Sequence, residues 1–276
     1  MTIAPGATPG SLPPLEPGLT RERRELMGTV ATITLREADA PRAQAAVGAA
    51  FERLHEIDRR FSPYKEESDI SKISRSELTV PDAHREVATV LEACEALRVE
   101  SGGRFSAWGF RADGRLDPSG YVKGWAIGEA AEILRAAGVS DFILDVGGDA
   151  YAAGGPDPTR GWGIGIVDPS DSAAVVAPLA VRDRGVATSG LAERGTHVID
   201  ARDGTAATEW ASITVVHPSI ARADAVATIA LLMGEDALHW IDRDLDAAAF
   251  AVHRDGRLAW TPRMERYLAG TVTTSR

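Results

Sequence analysis

A single cysteine, Cys94, in 276 residues excludes an intramolecular disulfide and a zinc site built on clustered cysteines. Cys94 falls at helical spacing with Val87, Leu91 and Leu97, which predicts a buried core thiol. Positive charge is also scarce: 30 Lys and Arg stand against 40 Asp and Glu, a formal net charge of −10. Broad nucleic-acid binding and docking on anionic membranes both need a basic face, so this balance argues against them. A local cation or a metal can still hold a small anionic ligand. No apolar run reaches transmembrane length, so no membrane insertion is expected. The opening "MTIAPGATPGSLPPLEPG" lacks the charged start and apolar run of a secretory signal and carries no lipidation cysteine. The expectations are a cytoplasmic protein, a flexible Pro/Gly lead over residues 1–20 and one folded domain over 21–276.

Familiar catalytic signatures are missing as well. His55, His84, His217, His239 and His253 form no HExxH or other metal-ligand spacing, and GxxxxGK[ST] is absent, which excludes a P-loop. Ser189 in "ATSGL" lies outside a GxSxG elbow, so a serine-hydrolase triad is not expected. Gly147-Gly148 follows an apolar run, "FILDV", but no helix comes after it, which argues against a dinucleotide fold.

What is present reads as alternating groups of strands and single helices. "TVATITL" alternates as a strand, and Val47, Ala50, Phe51, Leu54, Ile57 and Phe61 recur at helical steps over residues 41–61. A polar loop, "SPYKEESDISKIS", is expected next, then a helix over 82–100 stopped by Gly102-Gly103. Short apolar runs bounded by Gly, Pro or Asp follow as strands: "FILDV", "AYAAG", "WGIGIV", "VVAPLAV", "GVATSG", "THVID" and "ASITVV". A helix over 221–243, interrupted at Gly234, precedes a hairpin, "AAAFAV-HRDG-RLAW". Helices that occur singly between groups of strands predict an α+β fold, a single compact domain with mostly antiparallel sheets flanked by helices.

Three places hold residues suited to chemistry. In "DPSGYVKGWAIGEAAEILRAAG", Lys123 stands at a glycine-flanked helix start, where free N–H groups and the helix dipole favour anions. Asp224 and Thr228 are four apart on a helical pattern and share a face. A carboxylate and a hydroxyl one turn apart suit a hard cation such as magnesium. The same pair also fits a helix-start Asp favoured by the dipole and a Thr bonding back to a carbonyl. His197 and Asp200, in "GTHVIDARDG", face opposite sides of a regular strand and converge only through a bend, which Gly204 can supply. A histidine beside a phosphate ester can move protons, although an ordinary strand histidine is the more frequent case.

The order of these blocks resembles the ApbE family, the FAD:protein FMN transferases. The similarity runs from "LMGTVATITL" through "FSPYKEESDISKIS", "LDPSGYVKGWAIGEAAEIL", "FILDVGGDAYAAG", "WGIGIVDP" and "VATSGLAERGTHVID" to "ASITVVHPSIARADAVATIALLMG". The resemblance implies an ApbE-like α+β fold and magnesium-dependent transfer of FMN from FAD to a Thr or Ser hydroxyl of an acceptor protein, with release of AMP. Hydrolysis by a FAD pyrophosphatase, or a catalytically silent FAD-binding protein, are the alternatives on the same site. By that resemblance Met27, Tyr64, Arg104, Phe105, Ser106, Lys123, Ala126 and Ile199 would contact FAD, with Lys123 beside the diphosphate. Magnesium oxygens would come from Asp224, Thr228 and the carbonyl of Val122, while His197 and Asp200 would be catalytic. The chain departs from the family pattern at "RFSAWGF", where Ser106 replaces an acid in a shortened element, and at Ala201, where a proline is usual.

Overall fold

The computed structural model describes residues 2–3, 15–36, 41–108, 114–191 and 199–273. In chain order the strands are β1 (Thr2–Ile3), β2 (Leu19–Leu26), β3 (Thr29–Arg36), β4 (Phe142–Val146), β5 (Asp149–Ala153), β6 (Trp162–Asp168), β7 (Asp171–Val181), β8 (Arg184–Gly190), β9 (Trp210–His217), β10 (Ala248–His253) and β11 (Leu258–Trp260). The helices are α1 (Pro41–Phe61), α2 (Asp69–Ser74), α3 (Arg85–Glu100), α4 (Ser119–Ala136), α5 (Ile220–Met233) and α6 (Ala237–Asp242). Eight strands make one antiparallel sheet in the order β11-β10-β9-β8-β5-β4-β3-β2, and β1-β6-β7 make a second, in which only β1 and β6 run parallel. This is the α+β arrangement the sequence predicts.

Strand alternation divides the interior in two. Ile33, Leu144, Tyr151, Ile213 and Val215 turn toward the helices and pack with Phe51, Leu54, Ile57, Ile127 and Ile229. Ile143, Ala150, Val186, Val216 and Phe250 turn the other way and meet Trp162, Ile164, Val176 and Leu179 of the small sheet. The layers are therefore helices, large sheet, small sheet, each contact burying the apolar half of a period-two pattern. Cys94 is buried among α3 neighbours, and burial first, then the nearby Asp117 charge, pushes its thiol up to about 12. No helix among the described residues is long and apolar enough to cross a membrane.

Several boundaries differ from the sequence expectation, each for a local reason. The polar stretch after α1 contains α2, because the Ser68 hydroxyl accepts from Ser71 N–H while Ile70 and Ile73 are buried beneath. The helix expected from residue 82 starts at Arg85, after a 3₁₀ turn at Val80–Asp82. α4 starts at Ser119, four residues before Lys123, since Asp117 Oδ1 accepts from Ser119 N–H and opens the first turn. Lys123 is thus in the second turn of α4 and not at its first residue. β2 begins at Leu19, within the stretch expected as a lead. Residues 196–198 of the expected "THVID" strand lie outside the described residues, and Ile199 makes an isolated bridge to Ala206. The interruption expected at Gly234 in the 221–243 helix is present: it divides α5 from α6, and the Gly234 carbonyl accepts the Trp210 indole N–H at 2.6 Å.

Helices α4 and α5 cross at Gly124. A Cβ there would stand 2.6 Å from Ile220 O, 2.7 Å from Asp224 Cβ and 2.9 Å from Ala221 Cα, so backbone meets backbone with no room to yield. Gly128, one turn on, would place its Cβ 3.6 Å from Ile220 Cγ2, an ordinary contact. Gly124→Ala is therefore expected to cost about 1–3 kcal/mol in urea unfolding, whereas Gly128→Ala is expected to be neutral or stabilising by up to about 1 kcal/mol. Equal effects of the two substitutions would contradict the crossing geometry.

Candidate functional site

Two tight hairpins set one end of the large sheet. Leu26 pairs with Thr29 across Met27-Gly28, and Val146 pairs with Asp149 across Gly147-Gly148. All four turn residues have positive φ: 55° at Met27, 72° at Gly28, 59° at Gly147 and 92° at Gly148. That is the two-residue turn whose twist matches the flanking strands. The turns abut, since a Cβ on Gly147 would come within 2.9 Å of the Thr29 side chain. Met27 accepts a backbone conformation that a side chain disfavours, a strain that structures keep where a side chain must be aimed.

Asp149 follows directly, and there begins a ring of polar contacts that passes through four elements. The Lys123 ammonium of α4 lies 2.8 Å from Asp149 Oδ2 of β5. Asp149 Oδ1 accepts the N–H of Thr188 in β8 at 3.0 Å. The next residue, Ser189, places its hydroxyl 3.0 Å from that of Thr228 in α5. One helical turn back, Asp224 Oδ2 accepts the N–H of Gly124 at 2.8 Å, and Gly124 is the neighbour of Lys123. The Asp149 side chain is 1% exposed, and Asp224 and Thr228 are buried on a helix that is otherwise apolar nearly all round. Buried polar groups persist where they have partners, and the ring gives each of these side chains a hydrogen bond or, at Asp149 Oδ2, an ion pair.

The other expected residues fall into two groups. Phe105 is buried, and its ring and the Thr228 methyl both lie over Gly120 of α4. Val122 and Ala126 are buried on the same helix. Ser106 is half-buried and its hydroxyl accepts from Trp108 N–H, so the residue that departs from the family pattern caps its own loop. Tyr64 is 80% exposed. Arg104 joins the loop before α4 to the 199–206 segment: its carbonyl accepts from Ala201 N–H at 3.0 Å and its Nε lies 3.9 Å from Asp200 Oδ2. Asp200 is buried and bound at 2.7–3.2 Å by the Arg202 backbone and guanidinium, while Ile199 bridges Ala206. Burial acts to raise the Asp200 carboxyl, but Arg202 and then Arg104 outweigh it and hold the group below its usual range. His197 lies outside the described residues.

Among the described residues no three His, Cys, Asp or Glu side chains gather as a metal cage. Asp224 and Thr228 stand one turn apart on α5, and the Ser189 hydroxyl meets that of Thr228, a hard-oxygen set with one carboxylate. That donor chemistry fits a magnesium ion that keeps waters and shares a phosphate-bearing ligand. Asp149 and Ser189 escaped the sequence reading. In the sequence Asp149 is marked only by its place immediately after the GG turn, and Ser189 stands outside a GxSxG elbow.

The sequence pattern of the ApbE family matches residues 27–108 and 109–251, and the chain belongs to that family. Its relatives include the FAD:protein FMN transferase of Rhodobacter capsulatus, 26% identical over 287 residues that cover 84% of this chain and 54% of that protein. The FAD:protein FMN transferase of Klebsiella pneumoniae is 26% identical over 168 residues, 56% of this chain and 48% of that protein. The chain thus spans about half the length of these two curated relatives. The solved ApbE protein of Thermotoga maritima has the same fold, with a TM-score of 0.80 at 20% identity over 91% of this chain and 100% of that one. The flavin transferase ApbE of Vibrio cholerae aligns with a TM-score of 0.77 at 19% identity, covering 91% and 99%.

Because the Asp200 carboxyl is depressed in the folded state, its stabilisation is complete above the ordinary carboxylate pKa of about 3.9 and is lost as pH falls through the lower, folded value. In Arg202→Ala the guanidinium's bonds and charge are lost, while the backbone N–H of residue 202 and Arg104, at 3.9 Å, remain to oppose burial. The Asp200 carboxyl resonance, followed by NMR, is expected to titrate below the ordinary range in the wild type and to move upward in the variant. An unchanged titration would separate Asp200 from Arg202.

Proposed function

We propose that this protein transfers FMN from FAD to a Thr or Ser hydroxyl of an acceptor protein and releases AMP. Membership of the ApbE family across every site residue named above supports the reading, as do relatives named FAD:protein FMN transferase. The observation that carries it is the buried Asp224 and Thr228 pair joined through Gly124 to Lys123, hard oxygens beside a cation. A diphosphate bridge needs both.

Asp224 and Thr228, with the Val122 carbonyl, would hold magnesium, which when bound supplies charge neutralisation on the two phosphates and polarises the phosphorus under attack. Lys123 stabilises negative charge on the diphosphate. Met27, Tyr64, Phe105, Ala126 and Ile199 form the flavin and adenosine contacts, with Arg104 and Ser106 at the edge of the same loop. The acceptor oxygen attacks the FMN phosphorus, and the bond to the AMP oxygen breaks as AMP leaves with its electron pair. The hydroxyl proton needs a base. Asp200 spends its lone pairs on Arg202 and is less basic than an ordinary carboxylate, so the role falls to His197.

Asp224→Ala removes the carboxylate of the set and the acceptor that Gly124 N–H meets across the helix crossing, at a cost of about 1–3 kcal/mol in stability. The variant is expected to stay folded by circular dichroism and to lose magnesium-dependent FAD cleavage on chromatography. Full turnover at limiting magnesium would return Asp224 to a structural role.

The activity itself is tested with FAD, magnesium and a threonine-bearing acceptor protein. An acceptor mass increase equal to FMN, with AMP formed one for one, is the expected result. Should FMN and AMP accumulate while no acceptor gains mass, the chain is a FAD pyrophosphatase.

A further inference from the structure

The geometry points to Asp149 as the positioning residue that fixes the Lys123 ammonium relative to the Asp224 and Thr228 pair; this rests on the reading of the site as one that acts on a diphosphate. Lys123 enters the site from the second turn of α4, on a four-carbon stem with many rotamers. Three observations limit those rotamers. The ammonium lies 2.8 Å from Asp149 Oδ2, and the two side chains are 16% and 1% exposed. The other oxygen of Asp149 is held by the Thr188 N–H, so the carboxylate cannot swing to follow a moving lysine. Asp149 is also the first residue after the Gly147-Gly148 turn, whose strand register is fixed by pairing with Val146.

Through Thr188, the carboxylate is attached to the strand that bears Ser189, and Ser189 meets the Thr228 hydroxyl. Through Lys123 it is attached to the helix whose Gly124 N–H holds Asp224. Asp149 is therefore the link that closes the ring between the cation and the oxygen pair. A buried ion pair gains little net stability, because desolvation offsets its Coulomb energy. The ring makes positional use of it instead: lysine and oxygen pair move as one body.

The pair has no net charge, and this sets the sign of the expected effects. Removing the carboxylate takes away the negative charge 2.8 Å from the ammonium, which then attracts a diphosphate at least as well but no longer holds it in one place. Asp149→Asn is expected to bind FAD without magnesium at least as tightly as the wild type in calorimetric titration. Its kcat for FAD cleavage is expected to fall about 10-fold or more. A merely structural role would weaken binding and turnover together. In Asp149→Asn/Lys123→Met the loss is expected to match that of Lys123→Met alone within about 2-fold, since Asp149 acts only through the lysine. The double variant removes both charges of the pair, so it decides the matter where Asp149→Asn alone fails to fold by circular dichroism.

Wild-type kcat in Asp149→Asn overturns the assignment, as does FAD binding weakened in proportion to turnover. A double variant about 10-fold slower than Lys123→Met overturns it too. Failure of the wild type to bind or cleave FAD is a different result: it removes the diphosphate reading and this assignment with it.

Discussion

Everything at the site depends on how closely two helices approach. With no side chain at Gly124, the α4 backbone comes near enough to Ile220 and Ala221 for its own N–H to reach the Asp224 carboxylate at 2.8 Å. A hydrogen bond to a charged acceptor in a buried crossing is worth about 1.5–3 kcal/mol. The same approach brings Thr228 over Gly120 and within reach of Ser189, and it aims Lys123 across the end of the sheet. One glycine contact thus fixes the separation of a cation, a carboxylate and two hydroxyls.

The charges of this chain are divided by depth. At the surface a formal net charge of −10 gives no basic face. Inside, Lys123 faces Asp149, and Asp200 is held by Arg202 with Arg104 nearby. Such pairs cost desolvation and return it only through good geometry. An acidic protein can in this way present one organised cation to an anionic ligand without general affinity for polyanions.

The sheet contributes rigidity at the same end. The Met27-Gly28 and Gly147-Gly148 turns are both two residues long, lie side by side and leave no slack in the strands that follow. Asp149, Thr188 and Ser189 emerge from paired strands, so their positions are set by register and not by loop conformation. By contrast, Arg104, Ser106 and Asp200 lie on segments joined by a few hydrogen bonds, among them Ala201 N–H to the Arg104 carbonyl. The rigid half of the site holds Lys123, Asp149, Ser189 and Thr228, and the looser half holds Ser106 and Ala201, where this chain departs from its family.

The sequence by itself determined what depends on neighbours along the chain. Helical spacing in 41–61 and alternation in "TVATITL" each report burial of one face, and α1 and β3 follow them closely. The i, i+4 rule placed Asp224 and Thr228 on one face of α5, because helix geometry is local. Capping escaped that reading: α2 and the early start of α4 turn on side chains of Ser68 and Asp117 that bond only once the backbone has bent. Tertiary structure alone decided the partners. Asp149 meets Lys123 across 26 residues of sequence, and Gly124 meets Asp224 across 100, contacts that no periodicity encodes. They arise because β5 and α5 are packed against α4 from different sides, and only the assembled layers bring those atoms within hydrogen-bond range.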